Sequence, residues 1–271
     1  MDLKINGKTA LITGADSGIG KATAKILAEE GATIVLTDKD QKSLDKAIDE
    51  LKSETKTSST IIGITADITK NEDVLYLAKA VKDRFGGANI VINCAGARGA
   101  AGDFLDLTDA DWQETIEVDL KGAVRIARAF VPQLLEQGWG RMVMVASENA
   151  FQPYAQESPY NACKAAIINL SKCLSRAYST ENILFNCISP AFIETPMTDA
   201  MMEDLAKEKD ISIKEAADWF AKNKRPHIAM ERRGTPEEVA SVIAFLCSEK
   251  ASFVNGSNYR VDGGSVESAF G

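Results

Sequence analysis

"KTALITGADSGIGKATAKILAEEGA", residues 8–32, runs from a β-branched segment through three glycines into a helical period. Gly14, Gly18 and Gly20 fall at the turn between the two. Beyond them Ala22, Ile26 and Leu27 share one stripe, and the pattern stops at Gly31, where a C-terminal glycine belongs. The stretch therefore reads as a strand, a tight turn and a first crossover helix.

Further along, the same alternation continues in "ATIVLT" (32–37), "STIIGIT" (59–65), "NIVINC" (89–94), "RMVMVAS" (141–147), "ILFNCIS" (183–189) and "NYRVDG" (258–263). With the first run these make seven short β-branched segments, most of them separated by helical stretches. That arrangement predicts an α/β fold, a Rossmann-type doubly wound parallel sheet of seven strands with helices on both faces and right-handed connections. One domain over residues 1–271 is expected, with "KSETKTSST" (52–60) as an exposed loop. Residues 194–233 form a long helical insertion before Thr235-Pro236. Its Met197, Met201, Met202, Leu205, Trp219 and Phe220 either pack as a satellite core or close over a ligand, and the lid is the preferred reading.

Composition narrows the function. Of 271 residues, 45% are hydrophobic and 26% charged, an ordinary globular balance. Lys and Arg total 31 against 39 Asp and Glu, so the formal charge is -8, the wrong sign for binding nucleic acid or an anionic membrane. No signal-like stretch opens the sequence and no run is long enough to span a bilayer, which points to a cytoplasmic protein. Cys94, Cys163, Cys173, Cys187 and Cys247 are scattered without C-x-x-C and read as buried free thiols. The single histidine, His227, lies far from them, and no metal site is expected.

The glycine turn suits a pyrophosphate, because small residues let the backbone approach and the helix N-terminus offers free N–H groups and partial positive charge. A plain tight turn looks the same; the acid Asp38 at the end of the next strand decides for a dinucleotide. Asp38 can accept both ribose hydroxyls and would repel a 2′-phosphate. Asp16 and Ser17 in the turn are not basic and Lys39 is the only nearby cation, so NAD is preferred over NADP.

In "SPYNACKAAIINLSKCL", Ser158-Pro159 marks a helix start and Tyr160 and Lys164 share one face. A surface pair with a snorkelling lysine is the bland reading. Ser147 argues otherwise, since it ends the fifth strand at the sheet's carboxyl edge, where open α/β folds bind ligands. A lysine charge about 4 Å from the phenol, at an effective dielectric near 20, is worth roughly 4 kcal/mol and would bring its pKa from about 10 to about 7. Tyrosine would then be a usable acid and base, with serine holding the substrate oxygen.

Together, Thr13-Gly14-x-x-x-Gly18-Ile19-Gly20, Asp38, Asp67-Ile68, Asn93-Cys94-Ala95-Gly96, Ser147, Tyr160-x-x-x-Lys164, Pro190 followed by Thr195, and Asp262-Gly263-Gly264 resemble the short-chain dehydrogenase/reductase family over about residues 5–264. The resemblance implies Tyr160 as proton donor or acceptor and Ser147 as orienter of the substrate oxygen. It implies Lys164 at the nicotinamide ribose, Asp67 and Ile68 at adenine, the Asn93–Gly96 turn behind the cofactor, and Ile193 and Thr195 at the carboxamide. It further implies a homotetramer, through the helices that carry Asp119 and Tyr160. Two positions depart from the pattern: Asp119 in "VDLKG" stands where the family's relay asparagine belongs, and Ala191 replaces a usual glycine.

Arg98, Glu148, Asn149, Phe151 and Gln152 are the expected substrate-facing residues, polar enough for a polyol, sugar or hydroxy acid. An NAD-dependent dehydrogenase of such a small molecule is the leading expectation. One alternative is an NADPH-dependent 3-oxoacyl-(acyl carrier protein) reductase, with Lys222, Lys224, Arg225, Arg232 and Arg233 meeting an acidic partner. Another is a nucleotide-binding protein without turnover, suggested by Asp119.

Overall fold

The computed structural model describes residues 2–55 and 57–269. All seven expected strands form: β1 (Thr9–Thr13), β2 (Thr33–Thr37), β3 (Ile61–Gly63), β4 (Ile90–Asn93), β5 (Gly140–Val145), β6 (Ile183–Pro190) and β7 (Asn258–Val261). They pair in parallel in the order β3-β2-β1-β4-β5-β6-β7. The order reverses at β1, so successive crossovers leave β1 and β4 in opposite directions and open a crevice above their carboxyl ends. Every residue of β1, β4 and β6 is buried, as near-continuous apolar runs require when both faces are covered, whereas the edge strand β7 is half-buried.

The helices are α1 (Gly18–Glu29), α2 (Gln41–Glu54), α3 (Asn71–Phe85), α4 (Asp109–Ile116), α5 (Gly122–Gln137), α6 (Ser158–Ala177), α7 (Pro196–Lys209), α8 (Ile213–Lys224) and α9 (Pro236–Leu246). On one face Leu27 of α1, Leu44 and Ile48 of α2, and Val239 and Ile243 of α9 pack on Ile12, Ile34 and Ile92. On the other, Leu77 and Val81 of α3, Ile126 and Phe130 of α5 and Ile167 of α6 pack on Leu11, Val91 and Phe185. Alternate residues of each strand feed the two cores, which fixes the register of the sheet.

Four expectations change in detail. Lys52–Glu54 complete α2, Thr55 is buried, and the hydroxyls of Thr57 and Ser59 both donate to the Ala28 carbonyl, so much of the expected 52–60 loop is helical or tied down; Lys56 lies outside the described residues. Ser147 stands two residues beyond the end of β5, at the start of a 3-10 turn over Glu148–Ala150. Cys173 is exposed rather than buried, because its position on α6 faces away from the sheet, and Cys94 is only half-buried, because it follows β4 at the cavity wall. The insertion combines both readings offered for it. Phe192, Met202, Ala217 and Ile228 form a satellite core joined by Met201, Leu205 and Phe220, while Met197, Met201 and Phe220 also line a cavity. Trp219 joins neither, and takes the Lys209 ammonium 3.9 Å from its ring centroid instead.

Candidate active site

The glycine turn is built so that two backbone segments nearly touch. Gly14 has φ +60, and a Cβ there would lie 2.8 Å from backbone atoms of Ala95; one on Gly20 would lie 2.2 Å from the Gly14 carbonyl oxygen. Thr13 ties the ends of β1 and β4 together, donating to Asn93 Oδ1 at 3.2 Å and accepting from the Ala95 N–H at 3.1 Å. Ser17 precedes α1 in extended conformation, but its hydroxyl turns to Asp16 and leaves the first turn of the helix without a side-chain cap or an acidic residue. Such a turn keeps its N–H groups for an anion.

A cavity of about 560 Å³ runs along the carboxyl edge of the sheet. On the β2 side its wall holds Gly14, Asp16, Ser17, Gly18, Ile19, Gly20, Asp38, Asp67 and Ile68. In the middle come Ala95, Gly96, Pro190, Ile193 and Thr195, and beyond them Arg98, Asp119, Ser147, Asn149, Tyr160 and Lys164. Three predicted contacts fall outside this wall. The Asn93 side chain is 5% exposed and spent on Thr13, so it braces the strands; Gln152 follows the 3-10 turn away from the cavity and its Oε1 accepts from the Glu267 N–H. Phe151 leaves the wall for the same reason.

The remaining residues fit a dinucleotide. Burial, and the Asp16 carboxylate after it, raise the Asp38 pKa, while the Lys39 N–H donates to Asp38 Oδ1 at 2.7 Å. Two acids there oppose a further negative group. Asp67 is held by the backbone and side chain of Thr69, which outweigh its burial and lower its pKa.

At the other end α6 delivers Tyr160 and Lys164. The Lys164 ammonium lies 5.2 Å from the Tyr160 ring centroid, 3.2 Å from Asp119 Oδ1 and 3.4 Å from the Val145 carbonyl oxygen. Asp119 sits on a π-helical turn, Glu117–Lys121, that pushes its side chain inward until it is fully buried. Its Oδ1 also accepts from the Ala97 N–H at 3.2 Å, and its Oδ2 has no hydrogen-bond partner among the described residues. Gly96 is glycine because the turn passes over this ion pair: a Cβ would meet Asp119 Oδ1 at 2.8 Å.

The lysine does not lower the phenol as expected. Burial raises the Tyr160 pKa, Lys164 offsets this only in part, and Asp119 adds to the rise. The carboxylate that the sequence places at the relay position therefore cancels part of the field the sequence argument relied on. For Lys164, burial disfavours the charge but is outweighed by Tyr160 and Asp119, so the amine is held protonated. The Tyr160 phenol is thus held protonated, with the Ser147 hydroxyl beside it donating to Asn149 Oδ1 at 3.1 Å.

Four side chains absent from the sequence-based site gather behind Ser147. Glu157 lies on the cavity wall, accepts from Asn149 Nδ2 at 2.8 Å and pairs with Arg225 at 3.2 Å. Tyr154 donates to Glu148 Oε1 at 2.9 Å and meets His227 Nε2 at 2.8 Å. Nothing in their spacing announces this, since His227 is 73 positions from Tyr154. Conversely, the basic group proposed for an acidic protein partner is largely neutralised: Arg225 pairs with Glu157, Arg232 with Glu238, and Arg233 with Glu194 and Asp199. Among the described residues, no helix is long and apolar enough to cross a membrane and no cluster of His, Cys, Asp and Glu could hold a metal ion.

The reversed sheet order, the uncapped glycine turn and the Ser147, Tyr160 and Lys164 group at the mouth of β5 define a nicotinamide-dependent oxidoreductase. The chain belongs to the short-chain dehydrogenase/reductase family. Residues 14–266 match a family model described as enoyl-(acyl carrier protein) reductase. Dehydrogenase/reductase SDR family member 4 of Oryctolagus cuniculus is 32% identical over 95% of this chain and 93% of its own length. The uncharacterized oxidoreductase YvrD of Bacillus subtilis is 35% identical over 99% of this chain and 100% of its own. Among solved structures, L-sorbose reductase from Gluconobacter frateurii, complexed with NADPH and L-sorbose, superposes with a TM-score of 0.93 at 36% identity, covering 99% of this chain and 100% of that one. Levodione reductase follows at 0.89 and 30%, covering 97% and 99%.

Proposed function

We propose that this chain is an NAD-dependent enzyme interconverting a neutral polyhydroxylated secondary alcohol and its ketone. The observation that carries the substrate class is the wall around Ser147 and Tyr160. Glu148, Asn149, Glu157 and Arg225 crowd it with hydrogen-bonding groups, and the cation among them is already paired with Glu157. Such a surface recognises hydroxyl groups, and with Arg225 paired the cation left at this end is Arg98, which is exposed to solvent; a water-screened charge favours a sugar or polyol over a hydroxy acid. The likeness to a reductase crystallised with L-sorbose supports the same class. That structure also holds NADPH, so the cofactor reading rests on Asp38 and its neighbour Asp16 alone.

In this reading Tyr160 gives its proton to the carbonyl oxygen during reduction and takes it back during oxidation. Ser147 fixes that oxygen, while Lys164 holds the ribose next to the nicotinamide and keeps positive charge beside the phenol. Asp119 orients Lys164. The nicotinamide, when bound, supplies or accepts the hydride. Gly14, Gly18, Ile19 and Gly20 admit the pyrophosphate, Asp38 takes the ribose hydroxyls, Asp67 and Ile68 flank adenine, and Ile193 and Thr195 meet the carboxamide. The protein works as one domain in the cytoplasm, in keeping with its five free cysteines, and assembles as a homotetramer.

Titration with NADH and NADPH under one set of conditions, followed by turnover of a ketose, a polyol and a 2-hydroxy acid, tests the proposal. NADH is expected to bind at least about tenfold more tightly, a difference of about 1.4 kcal/mol. Tighter NADPH binding would overturn the role of Asp38, and turnover confined to the hydroxy acid would overturn the substrate class.

A further inference from the structure

The polar group behind Ser147 is a closed circuit joining two segments distant in sequence. From Ser147 Oγ it passes to Asn149 Oδ1, from Asn149 Nδ2 to Glu157 Oε2, and from Glu157 Oε1 to Arg225. The Arg225 guanidinium stacks 3.5 Å from the centroid of the Tyr154 ring, and the Tyr154 hydroxyl returns to Glu148, the residue next to Ser147. His227 adds a second strut from the same segment, with its Nε2 on the Tyr154 hydroxyl and its ring 5.8 Å from the tyrosine ring. Arg225 and His227 belong to the arm that leaves α8 and completes the insertion, whereas Ser147, Glu148 and Asn149 belong to the turn after β5. Tyr154 is the side chain common to both.

We propose that Tyr154 is a positioning residue, locking the arm after α8 onto the turn that carries Ser147, so that closing the insertion over a substrate and aiming the serine hydroxyl are coupled. This rests on the oxidoreductase reading above but adds a residue that touches neither substrate nor cofactor. The phenol has one proton. Given to Glu148, it leaves the oxygen to accept from His227 Nε2–H, which sets the histidine tautomer and fixes both rings. The groups facing Glu148 are Tyr154, Glu157, Tyr160, Arg225 and Asp262, and those facing His227 are Tyr154, Arg225 and Glu267. Burial pushes the Glu148 pKa up to about 7. Above that pH its carboxylate accepts a charge-assisted bond from Tyr154 and the lock tightens; below it the bond becomes an ordinary neutral one.

The experiment compares wild type, Tyr154→Phe and Arg225→Lys, each saturated with NADH, by amide hydrogen exchange and by steady-state kinetics across pH 5.5–8.5. In Tyr154→Phe, peptides covering residues 147–152 and 225–233 are expected to exchange about tenfold faster while the strands stay unchanged, since only a local opening has been made easier. KM should rise about fivefold or more with kcat nearly kept, and the wild-type loss of exchange protection in residues 225–233 as pH falls through about 7 should disappear, because the bond that responds to Glu148 is gone. Unchanged exchange in both segments overturns the proposal, as does a pH profile identical to wild type. Arg225→Lys keeps the charge opposite Glu157 but loses the flat stack on Tyr154, so it shows the same pattern at smaller size and serves if the phenylalanine variant does not fold. A wild-type enzyme without turnover on any alcohol or ketone would sink the substrate reading, while the exchange data would still decide the role of Tyr154.

Discussion

The two ends of the cavity are made by different means. The nucleotide end is a backbone construction in which glycines at 14, 18 and 20, an uncapped helix and two strand ends lie within about twenty-five residues of the first strand or at its neighbour. The substrate end is a side-chain construction, drawing Asp119 from a π-helical turn, Ser147 and Glu148 from one loop, Glu157 from the lead-in to α6, and Arg225 and His227 from the insertion. A backbone site tolerates little change in residue size, while a side-chain site tolerates little change in charge. Substitutions at the two ends should therefore fail in separable ways.

The largest separation is expected from Tyr160→Phe. It removes the phenol that lines the cavity beside Ser147 and no contact of the glycine turn, so turnover should fall by roughly a thousandfold, within the range that positioned acid-base groups contribute, while NADH affinity stays nearly constant. Activity near wild type would mean that another group moves the proton. Gly20→Ala should produce the converse. Its methyl would press on the Gly14 carbonyl oxygen at 2.2 Å and on the Ala15 Cα at 3.0 Å, backbone atoms that cannot swing aside, so the turn must shift. A stability loss of about 1–3 kcal/mol is expected from such overpacking, together with NADH binding weakened by at least about tenfold. Calorimetry and a fluorescence titration measure both, and unaltered NADH affinity would show that the turn does not hold the pyrophosphate.

This division also explains what the sequence revealed. Strand positions were legible to within a residue or two, because a parallel sheet covered on both faces demands unbroken apolar runs such as "NIVINC", and β4 occupies Ile90–Asn93 within it. The glycine turn was legible because its constraint is local. The direction of the Tyr160 pKa was not, since it depends on how deeply the phenol is buried and on how close Asp119 comes to Lys164, neither of which spacing along a chain encodes. Asn93 was misread for a related reason: its place beside the "CAG" turn is visible, but the demand of Thr13 on its side chain is made across the sheet. Tyr154, Arg225 and His227 carry no signal of their own, and become a group only when the insertion folds back.

Asp119 lies where the two constructions meet, bonded to the Ala97 N–H behind the cofactor side and to Lys164 on the catalytic side. Asp119→Asn keeps an oxygen for both donors, removes the charge and puts an amide NH2 where the buried Oδ2 has no partner among the described residues, which makes it the finest test of the comparison. The sign follows from the neighbours. The aspartate opposes the field of Lys164 and helps to raise the phenol, so its neutralisation lets Lys164 act unopposed and brings the Tyr160 pKa down. Alcohol oxidation needs the phenol as a base, hence the rising limb of kcat/KM against pH should move to lower pH. Reduction, which needs the protonated phenol, should lose activity earlier as pH rises. Because Lys164 is buried and loses its counter-charge, thermal stability should also fall, by less than the roughly 3–5 kcal/mol that stranding a buried charge costs, since the amide still accepts its hydrogen bond. A profile shifted to higher pH would show that Asp119 supports the lysine's effect on Tyr160 instead of opposing it, and the acid at this position would then be part of the proton path itself.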